Sequence, residues 1–269
     1  MKKVMCRCWL LFVLCFMYAP IIILTFYSFT KSSMIGALRG FSLQNYVTLM
    51  ETEELKSMIL GTVILALSVA TISVILGTVG ALGAHYSRGH IRYATEFFNR
   101  IPVINADVVT GFSVCILLIV FLRIPKDSFV PLVAGLCVLC TPFVYLSVMP
   151  RLKNMDPRLY EAALDLGATP RRALFSVVIP EIIPGMIGGF VTSITLAVDD
   201  YFITTYTKPA AFDTISTYVV NATKGAQTKI KTALWALSAV IFLLVVIAVL
   251  INYFYSMKHD GVEEDRIED

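Results

Sequence analysis

Long uncharged stretches alternate with short charged segments along most of the chain. Six apolar runs stand out, between Arg7 and Lys31, Lys56 and His85, Arg100 and Arg123, Asp127 and Arg151, Ile183 and Asp199, and Lys231 and Lys258. A helix needs roughly 20 apolar residues to cross the hydrocarbon core of a bilayer, and these runs are close to that length or longer. The pattern predicts an all-α membrane protein with six transmembrane helices.

The first run follows Lys2, Lys3 and Arg7, which is also how a signal peptide begins. The run is longer than a signal h-region, and Ala19 is followed by Pro20 where cleavage would require a small residue. We therefore expect a short cytoplasmic N-terminus at residues 1–7, followed by a retained membrane anchor.

Basic residues in the short loops predict the orientation. The loops that would lie inside contain most of the arginines, among them Arg88, Arg92, Arg100, Arg151, Arg158, Arg171 and Arg172. The loop from Lys208 to Lys231, which would lie outside, holds four lysines and weakens this bias. We expect a multi-pass protein of the cell membrane with a transmembrane domain at residues 8–257. Both termini are expected in the cytoplasm, including an acidic, solvated tail at residues 258–269.

The segment at residues 151–182 has helical start and stop signals of its own. Asp156 before Pro157 is typical of a helix start, and Gly167 can supply the left-handed residue that ends that helix. Thr169 before Pro170 marks the start of a second helix. Pro180 and Pro184 are expected to bend the chain into the next span.

The first of these short helices is amphipathic. Its apolar positions recur at helical spacing on one face and its polar positions lie opposite, with Leu159, Ala162, Ala163 and Leu166 against Arg158, Glu161 and Asp165. We expect one face to pack and the other to meet water. The segment thus reads as helix, glycine turn and helix, a docking element on the cytoplasmic side.

Small residues recur every fourth position in two of the predicted spans. The fifth span contains Gly185, Gly189, Ser193 and Ala197, and the second contains Ser73, Gly77 and Ala81. Small side chains let helices approach closely where lipid provides no hydrophobic driving force. These seams predict a tightly packed bundle.

Three carboxylates lie within or near the predicted spans. Asp199 and Asp200, followed by Tyr201, are roughly 24 Å along the fifth span from Ile183, and a continuous helix would turn both toward the packed side. Such carboxylates usually face a cavity, an ion path or a partner charge, although the pair could simply mark the outer helix end. We expect at least one to face a cationic substrate, and Asp107 to bond a neighbouring helix.

Composition narrows the range of functions. The 269 residues are 57% hydrophobic and 15% charged, and the net charge of +3 is scattered, which argues against nucleic-acid binding. Neither a phosphate-binding loop nor a metalloprotease or nucleophile-elbow motif occurs, so no enzymatic activity, cofactor or metal is predicted. Cys137 and Cys140 lie in an apolar run without an acidic or histidine partner, and we expect inert thiols.

The docking segment resembles the EAA motif (EAA-x3-G-x9-I-x-LP) of permease subunits of ATP-binding-cassette importers. The matching residues are Glu161-Ala162-Ala163, Gly167, Val177 and Ile179-Pro180, with valine and isoleucine in place of the usual isoleucine and leucine. The resemblance implies the type I importer permease fold with cytoplasmic coupling helices that insert into an ATPase subunit. The implied contact runs from Glu161 to Gly167 and through the turn Ala168, Thr169, Pro170 and Arg171.

Within that family, the chain is similar to the spermidine/putrescine permeases. The similarity rests on three segments, Tyr27-Ser28-Phe29, Phe41 to Tyr46 (FSLQNY) and Thr195 to Tyr201 (TLAVDDY). It implies transport of polyamines, together with a homologous second permease, two ATP-binding subunits, an extracytoplasmic polyamine-binding protein and membrane lipid.

Other functions remain open from the sequence. An importer for ferric iron, an amino acid or a phosphonate would share the docking segment. A secondary transporter would need no ATPase but predicts inverted repeats with broken helices, which the sequence lacks. A membrane scaffold without transport activity would not explain aspartates directed into the bundle.

Overall fold

The computed structural model describes residues 2–30, 40–87, 89–105, 107–224, 235–240 and 242–243, and nearly all of its regular structure is helical. The α-helices are α1 (Lys2–Ser28), α2 (Gln44–Glu51), α3 (Glu53–Tyr86), α4 (Gly89–Ile104), α5 (Asp107–Cys115), α6 (Val130–Asn154), α7 (Pro157–Asp165), α8 (Pro170–Ala173), α9 (Ile179–Asp199), α10 (Phe202–Thr207) and α11 (Ile215–Lys224). Ile116–Phe121 and Leu174–Val178 are π-helical.

The chain divides into two compact units, Met1–Lys56 with Asn221–Asp269, and Ser57–Val220. In the first unit, α1 contains an apolar stretch of 20 residues, Trp9–Ser28. The helix ends at a hydrogen-bonded corner, where the Asn45 side-chain amide donates to the carbonyls of Ser28 (2.8 Å) and Thr30 (3.1 Å). The rings of Phe29 and Phe41 stack at 5.6 Å. The segments YSF and FSLQNY thus form one local structure.

The second unit is built around α6, which packs between α3 and α9. Val144 of α6 lies between Gly77 of α3 and Gly189 of α9. A Cβ atom added at Gly77 would lie 2.7 Å from the Val144 Cβ, and one added at Gly189 would lie 3.1 Å from the Val144 Cα. Neither position has room for a side chain, because the helix backbones approach too closely.

The other small residues of the two seams are buried in the same way. A Cβ atom at Gly185 would lie 2.8 Å from the Ser147 carbonyl oxygen. Ser73, Ala81, Ser193 and Ala197 are all at most 1% exposed. The three helices therefore form a tight core from one end of the unit to the other.

Contacts along these helices fix their relative directions. The Cys137 thiol of α6 lies 4.0 Å from the Val69 carbonyl of α3, and further along both helices Val144 meets Gly77. The residue numbers of the contacting positions increase in the same direction along both helices, so α3 and α6 are parallel. Because α3 ends where α6 also ends, the connecting residues must return to the opposite side of the unit before α6 begins. The α9 helix runs the other way, since Gly185 meets Ser147 and Ser193 meets Cys140.

This return differs from the single straight span predicted between Arg100 and Arg123. The chain forms α4 and then α5, and the helical stretches Arg92–Ile104 and Asp107–Phe121 are bent by 107°. Pro102 lies inside α4 close to its end, where its missing N–H weakens the last turn. Among the described residues, four helices are long and apolar enough to cross a membrane, or five if the bent pair counts as one span.

The fifth predicted span also begins earlier than expected. Pro180 and Pro184 do not separate the second short helix from the span, because helical structure continues from Pro170 to Asp199. The Ile179 N–H bonds the Leu174 carbonyl in the wider π register, immediately before Pro180. A π turn inserts one residue and accommodates a proline that has no N–H to donate. The predicted sixth span and acidic tail lie largely outside the described residues.

Candidate functional site

Residues 156–173 form the docking loop, and each of its two short helices begins with a side-chain cap. An Asp156 carboxylate oxygen accepts the Arg158 N–H at 2.9 Å, and the Thr169 hydroxyl accepts the Arg172 N–H at 3.4 Å. Pro157 and Pro170 occupy the first helical positions, where no N–H is needed. Both predicted helix starts are confirmed.

The turn between α7 and α8 is a Schellman motif. Gly167 has a φ of +86°, its N–H bonds the Leu164 carbonyl at 2.9 Å, and the Ala168 N–H bonds the Ala163 carbonyl at 3.0 Å. Glycine adopts this left-handed conformation without the steric cost that a Cβ atom brings. The predicted glycine turn is confirmed, and its hydrogen bonds make it a defined corner.

The face of α7 that packs is not the one expected from the sequence. Leu159 is 48% exposed and Leu166 is 90% exposed, whereas Tyr160 is half-buried and its ring centroid lies 5.5 Å from that of Tyr86. The contact between the two tyrosine rings, which are tilted by 45° to each other, holds α7 against the end of α3. This contact turns the leucines outward, so an apolar surface is left uncovered within the chain.

The remaining residues predicted for the docking contact are mostly accessible. Ala163 and Ala168 are half-buried, whereas the others are exposed, namely Glu161, Ala162, Gly167, Thr169, Pro170, Arg171 and Pro180. Arg171 and Arg172 are exposed, as is Leu166. The docking loop thus presents both apolar and basic side chains at its surface.

At the far end of α9 the two aspartates have different environments. Asp200 is 8% exposed, and its carboxylate accepts hydrogen bonds from the Thr204 N–H and hydroxyl, both at 2.8 Å, and from the Ile203 N–H at 3.4 Å. Asp199 is exposed. The expectation that both turn toward the packed side is therefore wrong for Asp199. The helix ends between them, because Asp200 has extended backbone angles.

Asp200 caps α10, a short helix that the sequence analysis does not predict. Ile203 of this helix is fully buried, and a Cβ atom at Gly111 of α5 or Gly135 of α6 would lie 3.0 or 2.8 Å from it. Aspartate is a preferred residue at a helix start, and this signal is present in the sequence. Tyr201 follows Asp200, and its ring contacts that of Phe202.

One helical path joins these two regions. From Pro170 to Asp199 the chain covers roughly 40 Å at the rise of an α-helix. Helices resist compression along their axes, and the seam against α6 limits bending. A single helical stretch therefore connects the docking loop with the exposed Asp199.

Two other sequence expectations have clear outcomes. Asp107 does not bond a neighbouring helix in the described part of the chain. It is exposed at the first position of α5, where its charge interacts favourably with the helix dipole. Cys137 and Cys140 are buried free thiols. No cluster of metal-ligating side chains occurs among the described residues.

Comparison with known proteins gives a family match and several similar proteins. The family model for the binding-protein-dependent transport system inner membrane component matches residues 88–259. The putrescine transport system permease protein PotI of Escherichia coli (strain K12) is 29% identical over 217 residues, or 78% of this chain and 76% of that protein. The spermidine/putrescine transport system permease protein PotC of Haemophilus influenzae is 27% identical over 236 residues, or 87% of this chain and 91% of that protein.

A solved structure has the same fold. A chain of a bacterial alginate ABC transporter, crystallised with its alginate pentasaccharide-bound periplasmic protein, superposes with a TM-score of 0.68 over 91% of both chains at 19% identity. The helical fold, the docking loop and a family match over most of the chain agree. The chain therefore belongs to the family of binding-protein-dependent transport system inner membrane components.

Proposed function

We propose that the chain is the membrane subunit of an ATP-binding-cassette importer for polyamines, with putrescine or spermidine as substrate. The names of the similar permeases PotI and PotC support this substrate class. The subunit crosses the membrane six times with both termini in the cytoplasm, and the bent pair α4 and α5 counts as one crossing. It moves solute and does not hydrolyse ATP.

The observation that carries this proposal is the continuous helix between the docking loop and Asp199. One of its ends has a capped corner with an exposed leucine, and the other has an exposed carboxylate. A passive anchor has no use for either feature. A subunit that converts the closure of an ATPase into access for a cation needs both.

The docking loop would bind a separate ATP-binding subunit. Leu159 and Leu166 would enter a hydrophobic groove, as amphipathic helices commonly do, and Arg171 would meet acidic residues at its rim. The Schellman turn at Gly167 keeps Leu166 at a fixed angle to α8. A complete importer would contain this chain, a homologous second permease, two ATP-binding subunits and an extracytoplasmic polyamine-binding protein.

The substrate path would pass the outer end of α9. The exposed Asp199 carboxylate can pair with a substrate ammonium group, and the ring of Tyr201 can add a cation–π contact. Asp200 acts differently, because its oxygens are already bonded to α10. It positions the backbone that carries Asp199 and Tyr201.

Uptake of labelled putrescine tests this function. Deletion of the gene should abolish ATP-dependent uptake, and the wild-type chain should restore it. Leu166→Asp should leave the amount of membrane-inserted protein unchanged but reduce co-purification of the ATPase and uptake by about tenfold or more. Leu122→Asp is a matched control, because Leu122 is 60% exposed and follows the π-helical end of the α5 segment.

Two results would contradict the proposal at different points. If uptake of putrescine and spermidine were unchanged after deletion of the gene, the polyamine assignment would be wrong. The chain could then still belong to an importer for another solute. Unchanged uptake by the Leu166→Asp variant would instead remove the docking loop from ATPase coupling.

A further inference from the structure

Three cavities follow one another along α4 and α6, and none of them is lined by residues of the docking loop or of α9. The first is polar, with a volume of about 450 Å³, and the last is an apolar groove of about 1070 Å³. A small cavity of about 60 Å³ lies between them. We propose that this series of cavities binds an anionic phospholipid, with the phosphate in the polar cavity and the acyl chains in the groove.

The polar cavity has an excess of positive charge. Arg92 Nε and Lys153 Nζ lie 3.5 and 3.2 Å from the same Glu96 oxygen, so one carboxylate faces two cations. Arg100 lines the neighbouring small cavity, is exposed and forms no ion pair within the described residues. The cluster therefore has a net charge of +2, which is suited to a phosphate group.

The groove is lined almost entirely by carbon. It lies between α3, α4 and α6, and its walls include Leu76, Phe98, Val133 and Val138. Its volume reaches the upper range of pockets that hold medium-sized organic ligands. Leu76, Phe98 and Val138 are exposed, so the groove is open at the surface.

Shared lining residues show that the cavities are direct neighbours. Asn99 lines both the groove and the small cavity, and Glu96 and Lys153 line both the small and the polar cavity. A ligand that fills the series has one charged end and a long apolar body. A phospholipid has this shape, whereas a free phosphate would leave the groove empty and a polyamine would be repelled by the three cations.

The α4 helix is suited to hold such a lipid. Its polar positions Arg92, Glu96 and Arg100 recur every fourth residue and face the charged cavities, while Phe98 and Pro102 face the groove. Basic pockets between membrane helices near the cytoplasmic surface are typical sites for anionic headgroups. Here the bend after Ile104 separates α4 from α5, and no residue of α5 lines the groove.

Native mass spectrometry of the purified, delipidated permease with its co-purifying subunits tests the proposal. The protein is titrated with dioleoylphosphatidylglycerol or dioleoylphosphatidylcholine. We expect tighter binding of phosphatidylglycerol, and about a fivefold loss of this preference in Arg100→Gln, which leaves the Glu96 ion pairs intact. Lys126→Gln is a charge-matched control, because Lys126 is exposed and lies just before the start of α6, whereas the charged cavities lie near the end of that helix.

A second pair of variants tests the groove. Val138→Trp should weaken binding of both lipids, because Val138 is 42% exposed and lines the groove. Val191→Trp, at an exposed position of α9 outside the groove, should bind both as the wild type does. Equal affinity of the wild type for the two lipids would overturn the proposal. So would a benzoylphenylalanine at position 138 that crosslinks to a polypeptide in place of lipid, since the groove would then be a subunit interface.

Discussion

At the residue scale, the stability of this subunit depends on glycines whose neighbours are backbone atoms. Gly185 faces the Ser147 carbonyl and Gly189 faces the Val144 Cα. A backbone atom cannot move aside as a flexible side chain can. Gly188, only three positions along the same helix from Gly185, has nothing within 4 Å of the place a Cβ atom would take. Gly185 and Gly188 are therefore a matched pair.

Gly185→Ala should lower the free energy of unfolding by about 1–3 kcal/mol, because the new methyl group overpacks the helix contact. Gly188→Ala should raise it by up to about 1 kcal/mol, since alanine favours the helix. Unfolding in detergent, followed by circular dichroism during denaturant titration, measures both. Equal effects of the two substitutions would show that α6 and α9 do not approach as closely as the contacts indicate.

Substitutions of the two aspartates at the end of α9 should have different effects, one on stability and the other on transport. Asp200→Ala should destabilise the protein by about 1–2 kcal/mol, because α10 loses its cap. Asp199→Asn should change stability by less than about 0.5 kcal/mol, as expected for an exposed side chain. It should raise the putrescine concentration for half-maximal uptake by about tenfold or more. Normal uptake by Asp199→Asn would remove this carboxylate from the substrate path.

At the element scale, the docking loop is a rigid corner attached to a long helix. Two helix starts with proline at the first position and a Schellman turn fix its backbone through local hydrogen bonds. This is why the sequence alone predicts its two helices and the turn between them. The orientation of the loop, in contrast, depends on a tertiary contact. The contact between Tyr160 and Tyr86 decides which face of α7 is free, and that contact joins residues far apart in the chain.

Gly167→Ala tests whether the corner itself transmits force. No atom lies within 4 Å of the new methyl group, so the cost is the left-handed backbone alone, about 1–2 kcal/mol. We expect normal membrane insertion but reduced uptake and weaker coupling of ATP hydrolysis to transport. Gly83→Ala is the control, because its surroundings are equally open and it lies in regular helix without a positive φ. Identical behaviour of the two variants would argue against a coupling role for the turn.

At the scale of the whole molecule, the parallel arrangement of α3 and α6 constrains the membrane topology. The residue numbers of their contacting positions increase together, so the chain between the two helices must return to the end of the unit where α6 begins. This part of the chain contains α4 and α5, which are bent by 107° and count as one span in the six-span topology that we propose. We predict that the loop before α6 and the docking loop lie on opposite sides of the membrane.

Reporter fusions test this topology. Alkaline phosphatase fused after Asp127 should be active outside the cell, whereas a fusion after Asp156 should be inactive. A fluorescent protein at the C-terminus, which folds only in the cytoplasm, should fluoresce if the chain has six spans. An active phosphatase after Asp156 would reverse the orientation and place the docking loop away from ATP.

The sequence by itself determined the features that depend on near neighbours in the chain. Apolar runs give the membrane helices, Asp156 and Thr169 give helix starts, and Gly167 gives the turn, because each involves residues within a few positions of one another. The spacing of Glu161, Gly167 and Pro180 also carried the family resemblance, which the match over residues 88–259 agrees with.

Tertiary structure alone decided the features that depend on distant residues. Asp200 is buried because α10 inserts Ile203 between Gly111 and Gly135, a site formed by two other helices. Asp199, the last residue of α9, is exposed because it lies on the same face of that helix as the exposed Gly188, outside the seam that packs against α6. A hydrophobic pattern records how much surface a helix buries, but the choice of neighbour follows from how closely the backbones can approach.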